Sequence, residues 1–156
     1  MRLRRAGLCL ALFAFVGAMS LAASVEAAMR TDKLWLLTQS GEKAIGIEVA
    51  ESEEEKALGL MFRTSLADDR GMLFPYGKPR EITMWMRNTY IPLDMVFIRA
   101  DGVVHRIEER AEPLNERIIG SDGDVSAVLE LAGGNAKRLG LKPGDRVRAD
   151  RYFPAR

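Results

Sequence analysis

The sequence predicts an α+β fold of the mostly antiparallel kind, with a compact barrel-like or roll-like sheet and two short helices. Two observations carry this prediction. Many short apolar or alternating segments are separated by turn-forming residues, which is the pattern of short strands joined by tight turns. Only two segments have helical spacing and both are short, so the alternating long helices of a doubly wound fold are missing from the pattern.

A hairpin is expected at the start of the sheet. Residues 33–37 and 44–50 are apolar runs of strand length, and residues 40–43 between them carry serine and glycine, which favour a turn. Because the connection is short, we expect the two strands to be adjacent and antiparallel.

The first helix is predicted to begin directly after Ser52. A serine followed three residues later by Glu55 matches a capping box, in which each residue satisfies a free backbone N–H of the other. The acidic residues of this first turn suit the positive end of the helix dipole. One apolar stripe ends at Met61, so we expect a helix over residues 53–61.

The middle of the chain predicts four more strands. Residues 81–87 alternate, and Ile82, Met84 and Met86 share one face. The sequence Ala-Asp-Gly at residues 100–102 is the clearest hairpin turn of the chain. We place the strands at residues 71–75, 81–87, 93–99 and 102–108.

The last part of the chain predicts a strand at residues 126–131, a short helix at residues 134–139 and a final strand at residues 146–149. Gly133 and Gly134 open the helix. The free backbone amides at such a helix start could receive an anion, although a simple turn is the more economical explanation of the two glycines.

The N-terminus predicts an export signal. Three arginines within the first five residues precede an uncharged run over residues 6–25, and small residues follow where signal peptidase would cut. We therefore expect residues 1–27 to be a cleaved signal and residues 28–156 to form one β-rich domain in the periplasm or outside the cell. An uncleaved N-terminal anchor is the alternative.

The composition of the mature chain excludes several classes of function. The single cysteine, Cys9, lies in the leader, which excludes disulfides, thiolate metal sites and cysteine nucleophiles. Without the leader the chain keeps 20 basic and 21 acidic residues, and this balance argues against a nucleic-acid partner. We expect no cofactor and no membrane contact beyond the export signal.

Four motifs occur in a fixed order: LGLMFR at residues 58–63, GMLF at 71–74, WMRNT at 85–89 with PLD at 92–94, and LELAG at 129–133. Together they resemble the bacterial and archaeal family known as domain of unknown function 192, over about residues 45–147. The resemblance implies a small β-rich domain, often exported, with no established activity. Where the tryptophan motif of the family commonly has lysine, this chain has arginine.

The stretch from Trp85 to Asp94 is the main candidate site because it mixes polar groups with large apolar residues in strand and turn. Asp94 precedes an apolar run, so we expect it to be at least half buried, and a buried carboxylate must be hydrogen-bonded or paired. Arg63 and Arg87 are the expected partners. The candidate ligand-binding residues are Arg63, Trp85, Arg87, Asn88, Thr89 and Asp94.

Two interpretations of these residues remain open. In one, hydrogen bonds and ion pairs among these residues only fix a turn to the sheet. In the other, the same groups line a pocket with Trp85 as an apolar wall, a composition that suits a sugar or another oxygen-rich solute. The leading functional hypothesis is therefore a non-catalytic exported binding or accessory domain that recognises a small oxygen-rich solute or a glycan.

An envelope carbohydrate hydrolase is the first alternative. Asp94 and Glu130 both interrupt apolar strand runs, and glycoside cleavage needs two carboxyl groups about 5–9.5 Å apart. The simpler explanation of Glu130 is the outward position of an alternating strand.

A methionine-based Cu(I) binder is the second alternative, because thioethers are soft ligands that select Cu(I). Five of the eight methionines fall within 35 residues, and His105, the only histidine, could join them. Core packing is the simpler explanation, since methionine commonly fills apolar gaps. The five are Met61, Met72, Met84, Met86 and Met95.

Overall fold

The computed structural model of the protein describes residues 29–153, and over this range the fold is the predicted α+β arrangement. The predicted export signal, residues 1–27, lies outside the described residues. The strands are β1 (Arg30–Thr38), β2 (Gly41–Val49), β3 (Arg70–Arg80), β4 (Thr83–Met84), β5 (Leu93–Ile98), β6 (Val104–Ala111), β7 (Ile119–Gly120), β8 (Val125–Ala132) and β9 (Arg146–Arg148), and the helices are α1 (Glu53–Leu58) and α2 (Asn135–Leu139).

Seven strands form one curled sheet, a half-barrel, in the order β6-β5-β8-β3-β2-β1-β9. Its neighbours are antiparallel except β2 and β3, which are parallel. β2 and β3 can be parallel because the segment between them, which contains α1, carries the chain back to the end of the sheet at which β2 begins. β4 and β7 form a separate two-stranded sheet.

The two edges of the large sheet approach each other at the turn that follows β5. Val103 forms an isolated bridge with Arg146, and the backbone N–H of Val147 donates to the carbonyl of Gly102 at 2.8 Å. Gly102 has a φ of +77°, and a Cβ built on it would lie 2.7 Å from the Val147 carbonyl oxygen. This close approach requires glycine.

Two apolar clusters lie on opposite faces of the sheet, because successive side chains of a strand alternate between its faces. In β5, Val96 and Ile98 belong to the first cluster and Met95 and Phe97 to the second. α2 covers the first cluster with Ala136. Both faces of the central strands are therefore covered, and every residue of β5 is buried.

The first helix begins as predicted and ends early. Ser52 is the N-cap, its hydroxyl accepts from the Glu55 backbone N–H, and the Glu55 carboxylate accepts from the Ser52 backbone N–H, which completes the capping box. α1 ends at Leu58 instead of Met61, because Gly59 takes a φ of +47° at its C-cap. Nothing among the described helices is long and apolar enough to cross a bilayer.

β7 was not predicted, the strand predicted over residues 102–108 is found at Val104–Ala111, and two other predicted strands differ more in their pairing or length. The predicted strand over residues 81–87 keeps its alternating burial but pairs only at Thr83 and Met84, because its one partner is the two-residue strand β7. β3 runs to Arg80 instead of stopping at Pro75. Its register with β8 shifts after Pro75, and such an irregularity accommodates a proline, which has no backbone N–H to donate.

Candidate functional site

Asp94 is fully buried in β5, as its apolar neighbours predict, and its carboxylate is completely engaged. It accepts hydrogen bonds from the backbone N–H groups of Arg110, Gly134 and Ala136, each at 2.8 Å. Two of these donors belong to the start of α2, where backbone N–H groups have no partner inside the helix. Asp94 therefore anchors the second helix to the sheet.

The predicted pairing of Asp94 with arginine is wrong. Arg63 makes a two-pronged ion pair with Glu48, with both N–O distances 2.6 Å, and Arg87 pairs with Glu116 at 3.0 Å. The hydrogen bonds from Arg63 hold the pKa of Glu48 below its usual range. The amides after Gly133 do receive an anion, and that anion is the carboxylate of Asp94.

Glu130 is buried as well, which corrects its predicted outward position. It lies in β8, is 4% exposed, and its Oε2 atom has no hydrogen-bond partner among the described residues. Burial raises the pKa of Glu130 to about 8, so the carboxyl group is mostly protonated at neutral pH. The sequence held a signal for this burial, because Glu130 interrupts a run that is apolar on both faces.

Asp94 and Glu130 lie on opposite faces of the sheet. The register of β5 and β8 pairs Asp94 with Leu131 and Met95 with Glu130. Directly opposed residues share a face and successive residues alternate, so the two carboxyl groups point away from each other. The predicted hydrolase pair is therefore wrong, since a glycosidic bond cannot lie between them.

A small pocket opens above Glu130 and has a volume of about 30 Å³, enough for one or two water molecules. Three segments of the chain form it: α1 with the turn after it, the segment around β4, and the central strands of the sheet. The lining residues are Lys56, Ala57, Leu58, Gly59, Leu60, Met61, Phe74, Met84, Trp85, Thr89 and Glu130.

Four of the six predicted site residues lie at this pocket or beside it. Trp85 and Thr89 line the pocket. The guanidinium of Arg87 lies over the Trp85 ring, 4.5 Å from its centroid, and the side-chain amide of Asn88 lies 3.9 Å from the Met61 sulfur.

The other two predicted residues lie elsewhere. Arg63 lines a separate surface groove beside Glu48, and Asp94 lies on the face that carries α2.

Three exposed aromatic residues line the pocket or directly follow residues that line it, and we call them the aromatic rim: Trp85 lines the pocket, and Phe62 and Tyr90 follow the lining residues Met61 and Thr89 in the chain. Phe62, Trp85 and Tyr90 are 55%, 44% and 49% exposed, respectively. Phe62 and Tyr90 pack edge to face with centroids 6.0 Å apart, and the backbone N–H of Phe62 donates to the carbonyl of Asn88 at 2.8 Å. Leu58, the last residue of α1, is also exposed and lines the pocket. The sequence prediction included Trp85 and missed the other two.

The backbone at the rim is strained. Phe62 and Leu114 have φ values of +64° and +61°, a region that bulky side chains rarely adopt, and Asn88 between them in the chain has a φ of +53°, which asparagine tolerates. Hydrogen bonds join these segments, including one of 3.1 Å from the Leu114 N–H to the Thr89 carbonyl. Strain of this kind costs about 1–3 kcal/mol per residue and concentrates at functional sites. No local pattern in the sequence marks it.

The five methionines proposed as Cu(I) ligands divide into two groups by burial. Met72, Met86 and Met95 are fully buried on the Glu130 face of the sheet, as core packing predicts. Met61 and Met84 are partly buried and line the pocket.

The surroundings of these methionines contain few hard metal donors. Among residues 29–153, no group of three or more histidine, cysteine, aspartate or glutamate side chains could hold a metal ion. His105 is partly exposed and lies 3.3 Å from the Asp122 carbonyl oxygen.

Tyr76 is a further neighbour of the pocket that the sequence did not single out. Its hydroxyl donates to the Met84 sulfur at 3.6 Å, and the Lys56 ammonium lies 5.3 Å from its ring centroid. Burial, together with the nearby Glu130, raises the pKa of Tyr76 to about 12. The tyrosine therefore keeps its proton at all physiological pH values.

Comparisons with known proteins identify relatives without an established role. The sequence model of DUF192, described as an uncharacterized ACR family, matches residues 35–149. A crystal structure from Sinorhizobium meliloti 1021, provisionally named a transcription regulator, is 44% identical, with a TM-score of 0.76, 79% of this chain covered and 96% of that chain.

A protein of unknown function from Novosphingobium aromaticivorans DSM 12444 is 41% identical with a TM-score of 0.76, and the match covers 80% of this chain and 89% of that chain. No curated protein matches the sequence.

Proposed function

Since the chain belongs to the DUF192 family, which is described as uncharacterized, we propose a function from the site itself: a non-catalytic, exported binding domain. Its ligand is an oxygen-rich neutral solute or a glycan, held on the aromatic rim at the mouth of the Glu130 pocket. The predicted leader, residues 1–27, supports a location in the periplasm or outside the cell.

The exposed aromatic rim is the observation that carries this proposal. Large aromatic side chains are usually buried, and a cluster of them at the surface is typical of a contact site. Here the backbone of Phe62 has a strained, positive φ, and the Arg87 guanidinium packs over the ring of Trp85. A chain that only needed a stable core would gain by burying these rings or replacing them.

The surroundings of the rim favour a neutral, hydroxyl-rich ligand. Aromatic faces pack against the apolar face of a sugar ring, and Arg87, Asn88 and Thr89 offer hydrogen-bond donors and acceptors at its edge. The pocket is about the size of one or two water molecules, so a sugar ring would lie on the rim and only one hydroxyl-sized group would enter. Thr89 and Glu130 line the space that this group would occupy.

Binding without catalysis is the simpler proposal, because Glu130 is the one carboxyl group among the residues that line the pocket. Glycoside cleavage uses two. A nucleic-acid role, which the name of the Sinorhizobium relative suggests, has less support because acidic and basic residues are nearly balanced in this chain.

Tryptophan fluorescence tests the proposal directly, because the chain has two tryptophans and only Trp85 lies at the rim. In a Trp35→Phe protein, titration with oligosaccharides of N-acetylglucosamine or of glucose should change the emission of Trp85 in a saturable way.

Calorimetry should show that Trp85→Ala weakens binding by about ten-fold or more, as expected for a central aromatic contact.

Trp35 provides the matched control. It lies in β1, where the Arg148 guanidinium stacks on its ring, so Trp35→Ala removes an equally large side chain outside the rim. Equal loss of affinity in the two alanine variants would contradict the proposed site. Absence of saturable binding at millimolar sugar in the unmodified protein would overturn the ligand class.

A further inference from the structure

Solute binding on the aromatic rim does not use the thioether groups that lie beside Glu130. We propose that Met61, Met84 and Glu130 form a binding site for one soft monovalent metal ion, Cu(I). The ion would occupy the pocket that the hydroxyl of a rim ligand would otherwise enter, but Cu(I) binding requires no rim ligand, so the two proposals can fail separately.

The position of Glu130 in the sheet is the first support. β8 lies between β3 and β5, and the registers place Met72 directly opposite Glu130 on one side and Met95 directly opposite on the other. Cβ atoms at such positions are about 5 Å apart. The carboxyl group is thus flanked by two fully buried methionines and reaches the pocket, which it lines.

The unpartnered carboxyl oxygen is the second support. Oε2 of Glu130 is shielded from solvent and makes no hydrogen bond within residues 29–153. Leaving such an atom unsatisfied costs about 1–3 kcal/mol. Packing does not explain it, because an apolar residue at this position would fill the core without that cost. A cation in the pocket would satisfy it.

Two thioether side chains complete the donor set. Met61 and Met84 line the same pocket as Glu130 and remain partly accessible. Their sulfurs accept only long hydrogen bonds, of 3.9 Å from the Asn88 amide and 3.6 Å from the Tyr76 hydroxyl. Neutral donors to thioethers are weak, so a metal ion can replace these contacts at small cost.

The donor types select the ion. Thioethers prefer Cu(I), whereas Mg²⁺, Ca²⁺ and Zn²⁺ prefer oxygen, imidazole or thiolate ligands. The described part of the chain contains no cluster of three or more His, Cys, Asp or Glu that would suit those divalent ions. Cu(I) would displace the proton from Glu130, and the ion and the resulting carboxylate sum to zero charge, which avoids burying a net charge in the sheet.

A competition titration tests the site. With ascorbate and without oxygen, the purified protein should withdraw one Cu(I) per chain from bicinchoninate at micromolar concentrations. Met61→Leu, Met84→Leu and Glu130→Gln should each weaken Cu(I) binding by about ten-fold or more, as the loss of a ligand predicts. The leucine variants conserve volume and should unfold at nearly the same denaturant concentration as the unmodified protein.

Met29→Leu is the matched control. Met29 packs against the same apolar cluster but does not line the pocket, so this variant should bind Cu(I) normally. No competition by the unmodified protein, or the same loss of affinity in Met29→Leu as in Met84→Leu, would overturn the proposal.

Ag(I) provides an independent measurement that the oxidation of Cu(I) cannot affect. With ¹³C-methyl methionine, Ag(I) should shift the methyl signals of Met61 and Met84 strongly and that of Met86 much less. Equal shifts at all methionines, or a shift confined to others, would contradict the assigned ligands.

Discussion

Asp94 and Glu130 are both acidic residues within the central strands, and their surroundings are opposite. The carboxylate of Asp94 accepts three backbone hydrogen bonds, whereas Oε2 of Glu130 accepts none. A buried carboxyl group is therefore an anchor on one face of the sheet and an unsatisfied group on the other. The apolar neighbours of Asp94 predicted its burial, whereas Glu130 was expected to face outward, and the sequence predicted the hydrogen-bond partners of neither residue.

Asp94→Asn tests the anchor. An amide can accept with one oxygen only, and its NH₂ group would face backbone N–H donors, so the variant should lose about 2–4 kcal/mol of unfolding free energy. Urea unfolding measures this, and hydrogen exchange of α2 amides should accelerate most. Asp124→Asn, at an exposed position, is the control. A loss below about 1 kcal/mol would contradict the anchor.

Glu130→Gln tests the buried acid through pH. The pKa of Glu130 rises from 4.5 in the unfolded chain to about 8 in the folded protein, so the folded state alone holds the proton between these values. The stability contributed by the proton is fully present below pH 4.5 and is lost as the pH rises to about 8, by an amount on the order of a few kcal/mol.

The glutamine variant, which cannot ionise, should lack this loss. Its stability relative to the unmodified protein should therefore increase between pH 5 and pH 9 in urea unfolding. A constant difference between the two proteins over that range would show that burial does not raise the pKa.

At the scale of elements, short segments position the rim. α1 has six residues and β4 has two, and both contribute to the pocket through residues at or next to their ends. A helix this short is not stable by itself, so its caps and its packing must hold it. The capping box at Ser52 is visible in the sequence, whereas the positive φ of Phe62 after the helix is not.

Ser52→Ala should remove one half of the capping box and cost about 1 kcal/mol. Because Lys56 to Gly59 line the pocket, fraying of α1 should also reduce the fluorescence response of Trp85 to a rim ligand. Thermal unfolding and hydrogen exchange measure the first effect. Ser65→Ala, in an exposed loop, should change neither, and equal effects of both substitutions would contradict the role of the cap.

At the scale of the whole molecule, the half-barrel depends on the contact between its two edges. Gly102 lies against the backbone of Val147 next to the bridge between Val103 and Arg146. This contact joins residues far apart in sequence and links β6 with β9 across the opening of the curl. Non-local contacts of this kind make unfolding cooperative.

Gly102→Ala should therefore destabilise the whole domain. Gly77 is a matched control because its φ, +72°, is close to the +77° of Gly102, while a Cβ on Gly77 would meet nothing within 4 Å. Both alanine variants carry the backbone cost of about 1–2 kcal/mol, and only Gly102→Ala adds the clash with Val147. Denaturant unfolding should show a clearly larger loss for Gly102→Ala, and equal losses would contradict the edge contact.

The sequence alone predicted the fold class, most of the strands, the capping box and the burial of Asp94. These depend on alternation, turn residues and nearest neighbours, which act over a few residues. Four of six proposed site residues also lie at or beside the pocket, because Trp85 to Thr89 are consecutive and one turn carries them together.

Only the tertiary structure decided the order of the strands, the hydrogen-bond donors to Asp94 and the face of the sheet on which Glu130 is buried. Alternation gives the period of a strand but not which of its faces meets a ligand or a neighbouring strand. Asp94 meets amides 40 residues away, and Phe62 packs against Tyr90 although β3 and β4 lie between them in the chain. Such contacts depend on the path of the chain through the sheet, which no local pattern encodes.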